Sequence, residues 1–421
     1  MNAVPTLRWA FFLGSLSCIS LCMATPILDE SDALQLTTHF NNLTSIACDH
    51  KAQHCVATGF VLEPTHIDHL AYTTNDGGVT WHTGSPIFHS DDEVAPQYAI
   101  TSVRTDMQIK CGRSGMNCLI AKYTLDAGLP YVQTYMSHNG GTSWDTHERL
   151  PLYKLPKELN EMEDLPHLNL QCDTTGKKCI IGAHFYLQKI LSPVFYTTQD
   201  GGQSWSDAIF LTSNKPETTV DLLYALRCDD TGMFCTAITN RINNDTDNPT
   251  PRIHMTQDAG LTWTTKPMLL ADSSHEKFLV STEDSLSDLS CDHSNLHCIA
   301  LGSHIQISEK GHSSLHNYAY VTQNGGVTWE HAVEIDPEAP AWEHIFTTVR
   351  CDSSDTFCIA IGSSAAQGLL QPIIYISIDG GYSWQQKPFQ SPAGSTVLLD
   401  AFCADTGTLC HAVGLEVDKA F

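Results

Sequence analysis

Cys351-Asp-Ser-Ser-Asp-Thr-Phe-Cys358 and Ser377-Ile-Asp-Gly-Gly-Tyr-Ser-Trp384 decide the fold, because both patterns recur along the chain. The first is a Cys-x6-Cys pair, which occurs seven times. The second has the form (Ser/Thr)-x-(Asp/Asn)-(Gly/Ala)-Gly-x-(Ser/Thr)-Trp, occurs six times and is here named the Trp motif. The first cysteines of successive pairs lie 52 to 63 residues apart, with one Trp motif in each interval. A repeated unit of this length is typical of solenoids and propellers.

Every copy of the two patterns has a defined place in the chain. The cysteine pairs are Cys48/Cys55, Cys111/Cys118, Cys172/Cys179, Cys228/Cys235, Cys291/Cys298, Cys351/Cys358 and Cys403/Cys410. The third position of the Trp motif is Asp76, Asn139, Asp200, Asp258, Asn324 or Asp379, and its closing residue is Trp81, Trp144, Trp205, Trp263, Trp329 or Trp384.

Each repeat predicts four β-strands, named A to D. Apolar residues alternate before a cysteine pair, as in Leu168-x-Leu170-x-Cys172, and turn residues such as Asp173-Thr-Thr-Gly176 separate the two cysteines. This pattern favours strand A, a tight turn and strand B. A third apolar run such as Ile373-Ile-Tyr-Ile-Ser377 leads into the Trp motif, and a fourth leaves it. We therefore expect an all-β fold of four-stranded antiparallel units.

The Trp motif resembles the Asp-box, or BNR, repeat. Such repeats occur in the β-propellers of sialidases, some other glycosidases, sortilin-type receptor ectodomains and photosystem assembly factors, so the resemblance implies a β-propeller and says little about activity. An acidic or amide side chain can accept hydrogen bonds from the turn, and the glycines supply positive φ. Six copies of one carboxylate position indicate a turn that builds the fold, not a catalytic group. The departures from the pattern are Asn139, Asn324 and Ala259.

Seven cysteine hairpins but six Trp motifs predict an incomplete last blade. Residues Cys403 to Val417 supply its strands A and B, and residues near Ile27 to Phe40 are available to supply outer strands. We expect a single propeller domain over residues 25–421, closed between residues 27–45 and 395–421, because strands from both termini would remove exposed sheet edges. Seven blades is our prediction; six blades with an appended hairpin is the alternative.

Residues 1–24 have the pattern of a secretory signal peptide. Arg8 precedes an apolar stretch from Trp9 to Met23, and Ala24 stands before the predicted cleavage point. A buried first strand and a lipoprotein anchor are the alternatives. Removing this segment leaves fourteen cysteines, all of them in the seven pairs. This arithmetic predicts one disulfide per blade in a secreted protein, extracellular or periplasmic, and no metal site.

The topology predicts where ligands bind. The turns between strands A and B and between C and D share one face of a propeller, here the turn face, and the D–A and B–C connections share the other, the loop face. We predict an acidic binding surface on the loop face, where the connections are longer; two of the predicted B–C connections are Thr124 to Tyr131 and Asn240 to Pro251. Its candidate catalytic carboxylates are Glu158, Glu161, Asp164, Asp336, Glu338 and Glu343, and its candidate ligand-binding residues are Trp342, Glu343 and Glu161.

The net charge of the chain limits the classes of molecule that we expect it to bind. The formal net charge is −25, and −26 once Arg8 is removed, which disfavours binding to nucleic acid by bulk electrostatics. We expect a monomer that binds a protein or a carbohydrate and does not insert into a membrane. No cofactor is expected, although Ca²⁺ is an ion that acidic loops could hold. Asn42 and Asn244 begin glycosylation sequons.

Two functions remain open. A sialidase would need three arginines on its substrate, whereas Arg227 and Arg350 occupy the same repeat position as Lys110, directly before a first cysteine, and are interpreted as strand residues. A glycoside hydrolase of another kind needs two carboxylates at a set distance. The sequence favours a binding or interaction propeller, with a glycoside hydrolase on the same scaffold as the alternative.

Overall fold

Seven antiparallel sheets make up the described part of the chain. A computed structural model describes residues 35–39, 42–62, 67–90, 107–126, 129–152, 168–187, 190–211, 219–243, 249–268, 284–307, 313–337, 344–366, 369–388, 395–407 and 409–417. Six sheets have four strands, hydrogen-bonded in chain order, and the seventh has three. Within these residues no helix is long and apolar enough to cross a membrane.

The six four-stranded sheets form blades 1 to 6. Their strands are β2 (Leu43–Cys48), β3 (Cys55–Leu62), β4 (Ile67–Thr74) and β5 (His82–Ser90); β6 (Met107–Cys111), β7 (Cys118–Asp126), β8 (Leu129–Ser137) and β9 (Asp145–Pro151); β10 (Leu168–Cys172), β11 (Cys179–Leu187), β12 (Ile190–Thr198) and β13 (Ile209–Phe210); β14 (Thr219–Cys228), β15 (Cys235–Asn243), β16 (Pro249–Thr256) and β17 (Thr264–Pro267); β18 (Asp284–Cys291), β19 (Cys298–Ile307), β20 (Ser313–Thr322) and β21 (His331–Glu334); β22 (His344–Cys351), β23 (Cys358–Ala366), β24 (Leu369–Ser377) and β25 (Gln385–Gln386).

Blade 7 combines strands from distant parts of the chain. Its order is β1 (Gln35–His39), β27 (Leu409–Val417) and β26 (Ser395–Cys403). The first strands of the blades contact one another in sequence, from β2 through β6, β10, β14, β18 and β22 to β26, and β26 contacts β2 again. These strands therefore form the inner wall of a closed ring. The predicted seven-bladed, all-β propeller is confirmed.

One disulfide joins strands A and B in every blade, as predicted. Each has its two cysteines directly opposite in the strand register, with Cα atoms 4.0 to 4.1 Å apart. The bonds are Cys48–Cys55, Cys111–Cys118, Cys172–Cys179, Cys228–Cys235, Cys291–Cys298, Cys351–Cys358 and Cys403–Cys410. Seven disulfides are typical of proteins that work in an oxidising compartment.

The A–B turns share one backbone conformation. The fourth residue after each first cysteine has φ between 53° and 72°. Glycine occupies four of these positions, and the left-handed conformation explains why asparagine and aspartate occupy two others. An aspartate one residue after the first cysteine caps most of the turns; Asp229 Oδ1, for example, accepts hydrogen bonds from the N–H groups of Met233 and Phe234 at 2.9 and 3.1 Å.

The Trp motif is a hydrogen-bonded turn. In blade 1, the Asp76 carboxylate accepts the Thr80 N–H at 2.9 Å and the Thr80 hydroxyl at 2.6 Å. These bonds and the one from Thr74 hold the pKa of Asp76 down to about 2. In blade 2, Asn139 Oδ1 accepts the Ser143 N–H, while Asn139 Nδ2 donates to the Ser143 hydroxyl at 2.8 Å. The asparagine therefore preserves the turn, although its amide donates to the hydroxyl from which an aspartate would accept.

A backbone hydrogen bond joins the two repeated patterns in each of blades 1 to 6. In blade 1, the Gly77 N–H donates to the Gln53 carbonyl in the A–B turn at 3.0 Å. The equivalent donors in the following blades are Gly140, Gly201, Ala259, Gly325 and Gly380. Both patterns therefore lie side by side on the turn face.

Apolar side chains fill the spaces between neighbouring blades. Trp263 of blade 4 stacks on Phe195 of blade 3 with ring centroids 4.4 Å apart. Trp329 is fully buried between blades 4 and 5, and Trp81 packs against Ala404 and Val413 of blade 7. Each tryptophan of the motif thus packs against the preceding blade, and blade 7, which has no Trp motif, offers none to blade 6.

The B–C connections are shorter than the sequence suggested. Strands β7 and β8 continue to Asp126 and from Leu129, and Thr124 pairs with Tyr131, so most of this predicted loop belongs to strands. Likewise Asn240 pairs with Pro251 in blade 4. Cross-strand pairing of the polar residues in these segments extends both hairpins beyond the point where their turn composition had indicated a loop.

Candidate functional site

A closed belt of hydrogen bonds encircles the ring axis on the turn face. Its members stand two residues after the first cysteine of each blade, and in six of the seven links a backbone N–H donates to the carbonyl of the next blade. The bonds run His50 to Arg113, Arg113 to Thr174, Thr174 to Asp230, Asp230 to His293, His293 to Ser353 and Asp405 to His50, at 2.7 to 3.3 Å. Between blades 6 and 7 the Ser353 hydroxyl donates to the Asp405 carbonyl at 3.1 Å.

Charged side chains cross the belt. The Arg113 guanidinium pairs with Asp405 of blade 7 and lies 3.6 Å from a carboxylate oxygen of Asp230 of blade 4. These residues belong to non-adjacent blades, so the arginine spans the axis. The belt and Arg113 together narrow the turn-face end of the ring.

The channel behind the belt is lined by the inner strands of all seven blades. In five of them one residue is skipped in the pairing with strand B, which is a β-bulge. A bulge turns a side chain away from its regular direction, and all five skipped residues line the channel. They are Thr44, Tyr224, Ser287, Thr347 and Leu399.

Missing side chains on strand B make room for these bulges. A Cβ atom at Gly362 would lie 2.1 Å from the Ile345 carbonyl oxygen, and one at Gly414 would lie 2.0 Å from that of Val397. Both distances are far below van der Waals contact. In blades 6 and 7 the backbone of strand A can therefore approach strand B this closely because glycine is opposite.

Five charged residues in the channel, here the channel charges, are Lys110, Arg227, Asp288, Arg350 and Asp400. The Asp288 carboxylate accepts from Arg227 at 3.1 Å and from Arg350 at 2.6 Å. Arg350 also donates to Asp400 at 2.7 Å. An ionic chain thus connects blades 4, 5, 6 and 7.

The two aspartates also bind the next blade through its backbone. Asp288 accepts the Val349 N–H at 3.1 Å, and Asp400 accepts the Ile46 N–H at 3.2 Å and the Ser45 hydroxyl at 2.9 Å. Buried carboxylates need such donors to offset the loss of water. Asp400 consequently connects blade 7 to blades 6 and 1, where the ring closes.

Lys110 is the channel charge without a close partner. Within the described residues no hydrogen bond or ion pair to its ammonium is found, although Asp400 attracts it at longer range. Burial, opposed by Asp400 and reinforced by Arg350 and Arg227, lowers the pKa of Lys110 to about 8. Burial would also lower the pKa of Arg350, but Asp288 and Asp400 outweigh it and the pKa is raised.

This arrangement suits the binding of a small anionic group. Three cations face two carboxylates, so the channel charges sum to one positive charge near neutral pH. The cavity measures about 70 Å³, which by the requirement of about 10–15 Å³ for one water holds several waters or one small polar group. A complete saccharide would extend from it towards the loop face.

Most of the site residues predicted from the sequence lie outside the described residues, so their arrangement stays a prediction. These are Glu158, Glu161, Asp164, Glu338, Trp342 and Glu343. Asp336 is described. The Tyr375 hydroxyl donates to its carboxylate, and His344 Nδ1 lies 2.8 Å from the same oxygen.

Asp336, Tyr375 and His344 occupy different places in the repeated unit. Tyr375 stands two residues before the Trp motif, where Tyr196 of blade 3 donates its hydroxyl to the Pro151 carbonyl of the preceding blade. His254, at the same position of blade 4, is hydrogen-bonded within its own blade. Asp336 and His344 bring a carboxylate of blade 5 and an imidazole of blade 6 close together.

The sequence reasoning missed the channel charges as a group. Lys110, Arg227 and Arg350 were interpreted as strand residues, and so they are, but their strands line the channel and bring residues from different repeats together. A signal was available: the three cations share the position before a first cysteine, and Asp288 and Asp400 share the position three residues before one.

Comparison with known proteins identifies the fold. No protein-family model matches the chain, and no curated protein matches its sequence. Among solved structures, an ulvan lyase of the polysaccharide lyase family PL25, bound to -[GlcA(1-4)Rha3S]-, superposes with a TM-score of 0.54 at 10% identity, covering 88% of both chains. A second ulvan lyase structure gives 0.53 at 10% identity, covering 87% of this chain and 88% of the other. An α-L-arabinanase from Penicillium chrysogenum reaches 0.44 at 12% identity, covering 80% and 93%. The likeness to the two ulvan lyase structures, at 10% identity, shows a shared propeller fold.

Proposed function

We propose that this chain is a secreted Asp-box propeller that binds a glycan at the loop face, where the central channel opens. The observation that carries the proposal is the channel itself, which is narrowed on the turn face by the belt and lined with hydrogen-bonding and charged groups. Polar groups gathered in a concave site are the usual means of orienting a ligand. The acidic loops predicted to surround the opening would contact the rest of the glycan.

Two further features support the proposal. Seven disulfides suit a protein outside the cell, and we propose residues 1–24 as the signal peptide that would direct it there. The ulvan lyases that share the fold act on a glycan, which is support at the level of the fold. The hydrogen-bonded Trp motifs support membership of the Asp-box propellers.

A panel of immobilised neutral and acidic polysaccharides tests this function. We expect the purified chain to bind at least one class with a dissociation constant in the micromolar range, and expect the Gln108→Ala variant to bind it more weakly, because that change removes an amide group that lines the cavity. A folded chain that binds no member of the panel would contradict the proposal.

Glycoside hydrolysis is the second candidate function, and the contact between Asp336 and His344 favours it. A carboxylate and an imidazole in contact can pass a proton to or from a leaving group, and a second carboxylate is required, for which Glu338 and Glu343 are the candidates nearest in sequence. Turnover of aryl glycosides or polysaccharides that falls by two orders of magnitude or more in Asp336→Asn would establish hydrolysis. Binding without turnover would exclude it.

A further inference from the structure

The charge balance of the channel is incomplete. Arg227 shares Asp288 with Arg350, and Arg350 occupies Asp400 as well, so both carboxylates already have guanidinium partners. Among the described residues that line the channel, Lys110 then brings a third cation without a third carboxylate. An ammonium group in a half-buried position costs free energy unless an anion offsets it. The channel therefore keeps one unbalanced positive charge at a fixed place.

The surroundings of Lys110 indicate the kind of anion that fits. It is one of the residues that line the cavity, together with the amide of Gln108 on the same strand and with Thr44 and Asn169 from the two neighbouring blades. A group with several acceptor oxygens can bind an ammonium and these donors together. The cavity of about 70 Å³ admits one such group.

A purely structural role explains Lys110 less well. A lysine that stabilised the fold by pairing with Asp400 would lie within hydrogen-bond reach of it, but the carboxylate is already bound by Arg350, Ser45 and two backbone N–H groups. Groups held in an unfavourable state by the surrounding fold are common at binding sites. Lys110 is in that situation.

We propose that the channel binds one oxyanion group, a carboxylate or a sulfate ester carried by an acidic glycan, with Lys110 receiving the anion and Arg227 and Arg350 flanking it. This inference rests on the proposed function, since it names the chemical class of the glycan. The negative charge of the whole chain would oppose a polyanion at a distance, so recognition depends on placing a single anionic group in the channel.

Protection of Lys110 from acetylation tests the site in the unmodified protein. The full chain is treated with acetic anhydride at pH 7.5 with or without D-glucuronate, glucose 6-sulfate, inorganic sulfate or glucose, at constant ionic strength, and the Lys110 peptide is quantified by mass spectrometry. We expect protection by glucuronate or glucose 6-sulfate of at least threefold and none by glucose. Protection by inorganic sulfate alone would mean that the channel takes a free ion and would overturn the glycan assignment.

Variants provide the second test. Affinity for acidic oligosaccharides is measured by calorimetry for Lys110→Met, Lys110→Arg and the control Lys266→Met, which changes an exposed lysine on the outer strand of blade 4. We expect at least tenfold weaker binding for Lys110→Met, near wild-type binding for Lys266→Met, and partial retention for Lys110→Arg. Equal affinity in Lys110→Met and wild type would overturn the proposal.

The two levels of the proposal fail in different ways. If the protein binds glycans but Lys110→Met binds them as well as wild type, the glycan-binding function stands and the oxyanion site is wrong. If glucuronate protects Lys110 but no polysaccharide binds, the oxyanion site stands and the glycan-binding function is wrong. The pH dependence gives a further check, because affinity that depends on the Lys110 ammonium should fall as pH rises from 7 to 9.

Discussion

The belt and the channel charges join the same seven blades by different means. The belt uses backbone groups, together with one serine hydroxyl, and its seven members are of five residue types. Four of the channel charges, all but Lys110, pair through their side chains, and each of these four depends on the identity of its partner. The belt should therefore tolerate changes of side chain, whereas a single change among these four removes a partner from a buried charged group. Backbone groups at one repeated position build the ring, whereas side chains that differ from one repeat to the next give the channel its chemistry.

Removal of Asp400 should have the largest effect on stability. In Asp400→Ala, Arg350 loses one of its two carboxylates, and the Ile46 N–H and the Ser45 hydroxyl lose their acceptor. Breaking a buried ion pair typically costs about 3–5 kcal/mol. Denaturation in guanidinium chloride measures the loss of unfolding free energy. A loss below about 1 kcal/mol would mean that the channel charges do not hold blades 6, 7 and 1 together.

A side chain at Gly414 should have the next largest effect. The added Cβ of Gly414→Ala would meet the Val397 carbonyl oxygen at 2.0 Å, so strand β26 must move away and the bulge at Leu399 must change. Overpacking of this kind costs about 1–3 kcal/mol, occasionally more. The thermal unfolding midpoint should fall accordingly. An unchanged midpoint would show that the bulges are not fixed by the opposing strand.

The turn face has its own pH-sensitive group in the A–B turn of blade 6. Burial raises the pKa of Asp355 to about 6, although its hydrogen bond from His297 acts to lower it. Because the pKa of Asp355 is higher in the folded protein than in the unfolded chain, the folded protein takes up the proton first as pH falls. Protonation of Asp355 therefore stabilises the folded protein between about pH 6 and pH 4, and the ionised carboxylate lowers the free energy of unfolding above pH 6.

Asp355→Asn should remove that dependence. We expect the variant to be more stable than wild type by about 1–3 kcal/mol at pH 7.5 and to lose this advantage by pH 4.5. Asn295 occupies the equivalent position of blade 5 with the same positive φ, which indicates that asparagine fits the turn. The converse change, Asn295→Asp, should destabilise the protein at pH 7.5. Parallel pH profiles for Asp355→Asn and wild type would contradict this account.

The smallest effect is expected for a side chain of the belt. Asp405→Asn removes the ion pair with Arg113, which is half exposed, but leaves the backbone bonds of the belt in place. Exposed ion pairs contribute about 0–1 kcal/mol and weaken with salt. Urea denaturation at low and high salt measures the difference. A loss of unfolding free energy as large as that of Asp400→Ala would mean that side chains of the belt matter as much for stability as the channel charges do.

The repeats made most of the fold predictable from the sequence, whereas the chemistry of the channel could not be predicted from them. Cys-x6-Cys and the Trp motif predicted seven blades and the cysteine pairing because one local pattern repeats with one local structure. The belt could not be predicted because hydrogen bonds between backbone groups do not require a particular residue type. His50, Thr174 and Asp230 occupy the same position of the repeat but have chemically different side chains. The channel charges could not be grouped from the sequence because residues such as Lys110 and Asp400 lie 290 residues apart and come within electrostatic range of each other only once the ring closes.

The belt differs from other backbone hydrogen-bond chains in having no ends. A helix leaves unsatisfied N–H and carbonyl groups at its two termini, from which it frays, and its peptide dipoles, of about 3.5 D each, add along one axis. In the belt every link donates in the same rotational sense, so dipoles that follow one another around the circle cancel. The circle can therefore open only by breaking a link, and it adds little field along the axis. An anion that enters the channel would be attracted by the side chains alone.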